Sequence, residues 1–319
     1  MTATMPTPNP GQGEPLLEPA ASGAKKKRES DSGASIWTLA LRRLVRNPVA
    51  ILGAIIVVVF LIIALASPCL APFPGYASPG RALLRPTYIP GPSPEFPLGL
   101  DRFGGDMLSK LIWGARSSLV IGVASTLIGL AGGVALGLLS GAFGGWVDSL
   151  TMRFVDIMLS VPSLLLAVSI AAIAGQTPFA IILAIGVVQV PIFARLLRGT
   201  MLAQRGQDYV LAARSLGLSR RTVTMSHILP HSLGPVIVQA TLVLATAVIE
   251  AAALSFLGLG GGRPTAAEWG RMLTQAQNEL AIAPQLAIMP GLCISITALG
   301  FTLLGESLRE ALDPRSRKG

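Results

Sequence analysis

Long apolar runs separated by short polar stretches dominate this chain. Six of them reach or approach the roughly 20 apolar residues that a helix needs to cross a bilayer. They lie at about 49–66, 118–140, 157–175, 178–197, 233–254 and 283–304. Only the segment GQTP separates the third run from the fourth, and its proline excludes one very long helix. The pattern predicts an all-α integral membrane protein with six transmembrane helices.

The composition supports this prediction. Charged residues make up only 13% of the 319 residues, against roughly 25% in an average soluble protein. The apolar runs are built from Ala, Leu, Ile, Val and Gly, as in closely packed transmembrane helices. The net charge of +9 falls between apolar runs and is not interleaved with aromatic residues, so we expect membrane lipid and not nucleic acid as a partner.

The distribution of positive charge predicts the orientation. If the N-terminus is cytoplasmic, most of the 25 Lys and Arg residues lie on the cytoplasmic side, so the positive-inside rule places both termini in the cytoplasm. The predicted organisation is a disordered cytoplasmic tail (1–35), the first helix with a long extracytoplasmic loop rich in Pro and Gly (36–117), a core permease domain (118–305) that contains a cytoplasmic hairpin (198–232), and a cytoplasmic tail (306–319).

Signatures of catalysis are missing from the sequence. It contains no G-x-x-x-x-G-K-[ST] phosphate loop, no G-x-S-x-G elbow and no H-E-x-x-H metal motif, so we expect no catalytic residue, no metal site and no cofactor. Cys69 and Cys293 lack the spacing of a zinc site and are interpreted as packing residues. His227 and His231 could share one helix face, but Pro230 between them favours interfacial or capping roles.

Two carboxylates lie at or near membrane depth. Asp156 is close enough to the inner interface to pair with Arg153 one helical turn away. Glu250 has no such local partner, and an intramembrane carboxylate is a functional candidate. It belongs either to a translocation pathway or to a buried hydrogen bond with a neighbouring helix or subunit.

The polar segment YVLAARSLGLSRRTVTMSHILP, residues 209–230, resembles the EAA signature of bacterial ATP-binding-cassette (ABC) importer permeases. In that signature a short cytoplasmic helix, a glycine turn and a second short helix that ends in Leu-Pro form the element that couples to the ATPase. Ala212, Ala213, Gly217 and Pro230 match it. The signature's glutamate is replaced by Leu211, which removes one possible salt bridge to the ATPase.

Two further segments resemble the C-type permease of dipeptide, oligopeptide and nickel importers. They are PLGLDRFGGDMLSKLIWGARSSLVIG (97–122) and LSFLGLGGGRPTAAEWGRML (254–273). The resemblance implies a type I ABC importer permease fold in the bacterial cytoplasmic membrane. It implies four partners: a second, B-type permease, two ATP-binding subunits and an extracytoplasmic substrate-binding protein.

The function implied by the resemblance is uptake of di- or oligopeptides, driven by ATP hydrolysis on the separate subunits. A permease for nickel chelates, glutathione or another small polar solute is the alternative within the same class. A secondary transporter would instead show inverted repeats or paired charges at the midplane, and neither pattern is evident.

Residue roles follow from the same resemblance. The helix from Asp208 to Leu216 is expected to enter a cleft on the ATPase, with Ala212 and Ala213 allowing close approach. Arg214, Arg220 and Arg221 would hold acidic groups of the ATPase or anionic lipid. In the outer segment, Arg263 and Trp269 are candidates for contact with the binding protein, while Trp269 could equally be a membrane-interface residue.

Overall fold

The computed structural model describes residues 41–85, 88–262 and 265–312. The described residues are almost entirely helical, with two isolated β-bridges in the first outer loop. The helices are α1 (Pro48–Leu70), α2 (Met107–Phe143), α3 (Gly145–Ser160), α4 (Ser163–Ala174), α5 (Pro178–Arg205), α6 (Asp208–Ser215), α7 (Arg220–Phe256), α8 (Trp269–Ala276) and α9 (Gln285–Leu312). The expected tail at 1–35 lies outside the described residues.

Five helices, α1, α2, α5, α7 and α9, are each long and apolar enough to cross a membrane. A sixth span exists only as the pair α3 and α4, which bend by 94° at their junction. The continuous third helix predicted at 157–175 is therefore wrong. Pro162 causes the break, because proline disfavours helical backbone in the residue before it, and Val161 is extended with ψ 132°.

Helices α2 and α5 approach each other along a ridge of glycines spaced four residues apart, Gly129, Gly133, Gly137 and Gly141. A Cβ atom added at Gly137 would lie 2.8 Å from the Ala194 carbonyl oxygen, and one at Gly129 would lie 3.0 Å from the Gly186 carbonyl oxygen. Small residues at this spacing let two backbones pack closely in a bilayer. The ridge therefore fixes α2 against α5.

Glycines also shape the contacts made by the first and last helices. A Cβ at Gly53 of α1 would lie 2.8 Å from the Leu304 backbone nitrogen of α9. A Cβ at Gly305 of α9 would lie 2.6 Å from Leu242 of α7. The helices α1, α9 and α7 thus form a second packed layer beside the α2–α5 pair.

The Pro- and Gly-rich outer loop is anchored by two aspartates. Asp101 accepts hydrogen bonds from the Phe103 and Gly105 backbone nitrogens at 2.9 and 2.7 Å and pairs with the buried Lys110. Asp106 caps α2 by accepting from the Ser109 backbone nitrogen at 2.9 Å. The hydroxyl of Ser109 in turn accepts from the Phe73 backbone nitrogen at 3.0 Å. These contacts give the LGLDRFGGD segment a structural role at the start of α2.

The glycine ridge makes a prediction about stability. Gly133→Ala places a methyl group against Phe193 and 2.8 Å from the Val190 carbonyl oxygen. Overpacking of this kind costs about 1–3 kcal/mol, so we expect a lower midpoint of thermal unfolding for the detergent-purified complex. Gly234→Ala in α7 is the control, since nothing lies within 4 Å of the added atom. A midpoint for Gly133→Ala as high as that of the control would contradict the packing role of the ridge.

Candidate coupling site

The segment between α5 and α7 folds into a compact hairpin. Its first arm, α6, begins at Asp208 and ends at Ser215. The Gly217 backbone nitrogen donates to the Arg214 carbonyl at 2.9 Å and the Leu218 nitrogen donates to the Ala213 carbonyl at 3.3 Å. This pair of bonds is a Schellman motif, which needs a left-handed residue, and Gly217 has φ +79°. The predicted glycine turn lies at this position.

The two alanines of the motif face opposite directions. Ala213 is 5% exposed and belongs to an apolar cluster with Val210, Val223 and Ile228. Ala212 is exposed, as is Arg214. Ala213 therefore packs between the two arms of the hairpin, and Ala212 lies on the outer face of α6.

The second arm differs from the expected short helix. Ser219 caps it, with its hydroxyl accepting from the Thr222 backbone nitrogen at 3.2 Å. The helix then continues through a π-helical turn, Val223–Ile228, into the membrane segment. The expectation that it ends at Pro230 is wrong, because Pro230 lies at the start of the α-helical segment that follows the wider turn. Proline lacks an N–H group and is tolerated there.

Two arginines fasten the hairpin to the end of α2. The Arg220 guanidinium donates to the Ala142 and Phe143 carbonyls at 2.8 and 2.7 Å. Arg205, at the end of α5, donates to the carbonyls of Gly141 and Ala142. The last carbonyls of a helix carry partial negative charge and favour cations. All three arginines, Arg214, Arg220 and Arg221, are exposed, and Arg220 in addition bonds to carbonyls within the chain.

Ion pairs connect α3 to α5 beside the hairpin. Arg198 holds Asp148 through two hydrogen bonds of 2.5 and 2.7 Å, and Ser140 of α2 donates to the same carboxylate. Asp156 pairs with Arg195 at 2.5 Å. The prediction that Asp156 pairs with Arg153 is wrong. The bend at Pro162 places α3 beside α5, so that Asp156 pairs with Arg195 instead.

The ring of His231 makes local structural contacts. Nδ1 of His231 lies 2.7 Å from the His227 carbonyl oxygen, and its ring lies 5.1 Å from the Tyr209 ring. Within the described residues, no group of three or more His, Cys, Asp or Glu side chains is placed to hold a metal ion.

Glu250 lies in the outer half of α7 and is half-buried. Its carboxyl group lies near Ser163, the first residue of α4. Both roles expected for Glu250, in a translocation pathway or in a buried hydrogen bond with a neighbouring helix or subunit, stay predictions.

Trp269 is buried in an outer cap formed by residues 257–262 and 265–276. The indole is 0% exposed and its Nε1 donates to the Leu111 carbonyl at 3.0 Å. It packs edge-on against Phe60 and fits where Gly114 has no side chain. Two predictions for this side chain, direct contact with a binding protein and a position at the lipid interface, are therefore wrong. Arg263 lies outside the described residues.

Glu268 holds the first turn of α8. Its two carboxyl oxygens accept from the Gly270 and Arg271 backbone nitrogens at 2.9 and 3.1 Å. Burial raises the pKa of this carboxyl group although both hydrogen bonds lower it. Arg271 in turn donates to the carbonyls of Gly260 and Gly261. These hydrogen bonds hold the described part of the cap over the outer end of α2.

An apolar helical bundle that presents an ordered, arginine-fastened hairpin on one face has the architecture of the membrane subunit of a transporter. Residues 133–318 match the family model described as "Binding-protein-dependent transport system inner membrane component". Residues 35–86 match the "N-terminal TM domain of oligopeptide transport permease C". The chain therefore belongs to the binding-protein-dependent inner-membrane permease family.

Curated relatives cover nearly the whole chain. A dipeptide transport system permease protein from Alkalihalophilus pseudofirmus is 39% identical over 95% of this chain and 98% of the relative. A glutathione transport system permease protein from Pectobacterium atrosepticum is 38% identical over 88% and 91%. A di/tripeptide transport system permease protein from Pseudomonas aeruginosa is 41% identical over 84% and 89%.

Solved structures share the fold at low identity. The MetNI methionine ABC transporter, in an inward-facing conformation, matches with a TM-score of 0.53 and 20% identity over 65% of this chain and 98% of that chain. A crystal structure of an amino acid ABC transporter matches with a TM-score of 0.51 and 16% identity over 62% and 92%. The protein is thus a multi-pass permease of the bacterial inner membrane, of the ABC importer class that works with ATPase and further permease subunits.

The arginine contacts at the end of α2 predict that substitution of Arg220 lowers stability more than substitution of the adjacent Arg221. Arg220→Met leaves the Phe143 carbonyl without its charged donor and the Ala142 carbonyl with Arg205 alone, and hydrogen bonds to charged groups contribute about 1.5–3 kcal/mol. We expect a lower unfolding midpoint of the purified complex and faster protease cleavage of the hairpin. Arg221→Met, at an exposed neighbouring position, is the control with the same loss of charge. Equal effects of the two substitutions would contradict a specific role for Arg220.

Proposed function

We propose that this chain is the permease subunit of an ABC importer for di- or oligopeptides, driven by ATP hydrolysis on separate subunits. The observation that carries the proposal is the cytoplasmic hairpin, an ordered two-helix element in a chain without a phosphate loop of its own. The names of two relatives, a dipeptide and a di/tripeptide permease, support the substrate class. The glutathione permeases among the relatives favour glutathione, itself a peptide, as the second candidate.

The outer face of α6 is the proposed contact with an ATPase. It exposes Leu211 at 51% and Ala212, with Arg214 beside them, and Leu216 at its end is 82% exposed. Apolar side chains exposed on a short, well-ordered helix are suited to a cleft on a partner. Arg214 and Arg221 add positive charge that complements acidic groups of the ATPase or anionic lipid.

Force reaches the membrane through the contacts of the hairpin. The apolar cluster that contains Val210 and Ala213 also contains Met201 of α5 and Val236 of α7, so α6 cannot shift without moving both helices. Arg205 and Arg220 extend the same connection to α2. Closure of the ATPases on ATP would move this unit as a rigid body and open the pathway to one side of the membrane.

The complete assembly in this proposal contains a second, B-type permease, two ATP-binding subunits and an extracytoplasmic binding protein. The half-buried Glu250 is a candidate pathway residue. The outer cap supplies a rigid surface for the binding protein, and its buried Trp269 holds that surface in place.

Uptake measurements test the substrate class. A strain that lacks the gene should lose accumulation of a radiolabelled dipeptide, and the gene supplied in trans should restore it. Excess unlabelled dipeptide should compete strongly and glutathione weakly. Stronger competition by glutathione would select the second candidate. Uptake that neither compound inhibits, and that does not depend on the gene, would reject the proposal.

The coupling role predicts a difference between two glycines of the same hairpin. Gly217→Ala forces a side chain into left-handed backbone, which costs about 1–2 kcal/mol, and therefore reshapes the turn. We expect at least a tenfold loss of uptake with unchanged amounts of subunit in the membrane. Gly206→Ala is the control, because Gly206 has φ −88° and open space around it. Full uptake by Gly217→Ala would show that the turn does not transmit force.

A further inference from the structure

A cavity of about 620 Å³ opens on the membrane-embedded part of the chain, directly beside the hairpin. Its walls come from the cytoplasmic halves of α5 and α7 and from the end of α3. The lining residues are Leu159, Ile192, Arg195, Leu196, Gly199, Thr200, Ala203 and Gln239. This volume lies within the range of sites that hold small molecules, about 300–1,000 Å³.

The cavity combines an apolar wall with a few polar groups. The α5 residues that line it recur every three or four positions, so they form one stripe along that helix. Leu159 and Ile192 are apolar, and Gly199 and Ala203 leave room for a ligand. Thr200 and Gln239 add neutral polar groups. Arg195 supplies a positive charge in the lining, and Asp156, which pairs with Arg195 but does not line the cavity itself, lies next to it with a negative charge.

The Asp156–Arg195 pair differs from the other ion pair between the same two helices. The Asp156 and Arg195 side chains keep 60% and 55% of their surface exposed. Asp148 and Arg198 are only 18% and 31% exposed and are joined by two hydrogen bonds. Both charges of Asp156–Arg195 therefore face open space in this subunit.

We propose that Asp156 and Arg195 form a subsite for the charged termini of a peptide in this cavity. Arg195 would bind the C-terminal carboxylate, which a guanidinium can hold through two hydrogen bonds, and Asp156 would bind the N-terminal ammonium. The termini of an extended dipeptide lie roughly 7 Å apart. When the peptide binds, the Asp156–Arg195 ion pair is replaced by two ion pairs, one at each terminus of the peptide. The apolar stripe accommodates its side chains. The inference rests on the proposed function, since it names where that substrate contacts this subunit.

The position of the subsite connects it to the coupling site. Thr200, in the cavity wall, donates to the Ser232 carbonyl of α7 at 3.2 Å, and both wall helices run directly into the hairpin. A shift of the hairpin that carries α5 and α7 with it therefore moves two of the three helices that line the cavity. Substrate release on the cytoplasmic side would follow from the movement that the ATPases impose.

Protection of an introduced thiol tests the subsite without involving the binding protein. Ala203→Cys places this thiol in the cavity wall, in a chain that carries Cys69→Ser and Cys293→Ala. The purified complex of permeases and ATPases is labelled with a maleimide in the presence of alanylalanine, its C-terminal amide or its N-acetyl derivative. We expect the free dipeptide to protect the introduced thiol at about tenfold lower concentration than either capped peptide, because each cap removes one charge-assisted contact.

Substitutions then test which terminus of the peptide each of the two charged residues binds. Arg195→Gln should abolish the preference for the free carboxylate and keep the preference for the free amine, while Asp156→Asn should do the reverse. The matched controls are Arg198→Gln and Asp148→Asn, which break the neighbouring ion pair. They should lower stability and leave both preferences unchanged, so a merely structural effect is separated from recognition.

Three outcomes would overturn the inference. They are equal protection by all three peptides, unchanged preferences in Arg195→Gln and Asp156→Asn, and an introduced thiol that is unreactive without peptide because a partner subunit fills the cavity. If any of these occurs while the cells still accumulate dipeptide, the subsite is wrong and the proposed function stands. Loss of gene-dependent dipeptide uptake in the deletion test would reject the function itself.

Discussion

The close approach of α2 and α5 is the contact on which the rest of the structure depends. Four glycines at four-residue spacing bring the two backbones together over most of the membrane depth. Because α5 is held so close, its last residue, Arg205, reaches the final carbonyls of α2. The Ala142 carbonyl also accepts from Arg220, on the far side of the hairpin. Packing inside the bilayer thus sets the geometry of a polar element outside it.

Helix α2 connects the two functional ends of the molecule. With 37 residues it is about 55 Å long at 1.5 Å per residue, well beyond the hydrocarbon thickness of a bilayer. Its outer end carries the aspartate-anchored loop and receives Trp269 at Gly114. Its inner end receives the two arginines of the hairpin. This continuous helix therefore joins the outer cap to the hairpin.

Local sequence features predicted a large part of this architecture. The length of the apolar runs correctly predicted five of the spans, since a segment that crosses the lipid must be a long uninterrupted helix. The glycine turn was predictable because a left-handed residue is needed where a short helix reverses. The break before α4 was not predicted, although Pro162 within the third apolar run was the available signal. Hydropathy averages over a whole window, and one proline barely changes the average.

The remaining errors share another cause, which is separation along the chain. Asp156 was assigned to a residue one turn away, but its partner Arg195 is 39 positions distant. Trp269 was expected at the surface because tryptophan is common at interfaces, and its burial depends on Gly114, far earlier in the sequence. The contact of Arg220 with α2, 78 positions before it, was likewise not predicted, and its assignment to the ATPase or to anionic lipid stays a prediction. Periodicity and motifs carry no information about such contacts.

Leu211 occupies the position where the family motif has glutamate, and it exposes half of its side chain on α6. An apolar contact is insensitive to ionic strength, whereas salt screens a carboxylate that pairs with a partner. In the proposed contact with an ATPase, Leu211 would also change selectivity, since an ATPase surface built to pair with glutamate would leave its cation desolvated against a leucine. In a cell with several importers of this family, this one side chain would help the subunit to reject the ATPases of the others.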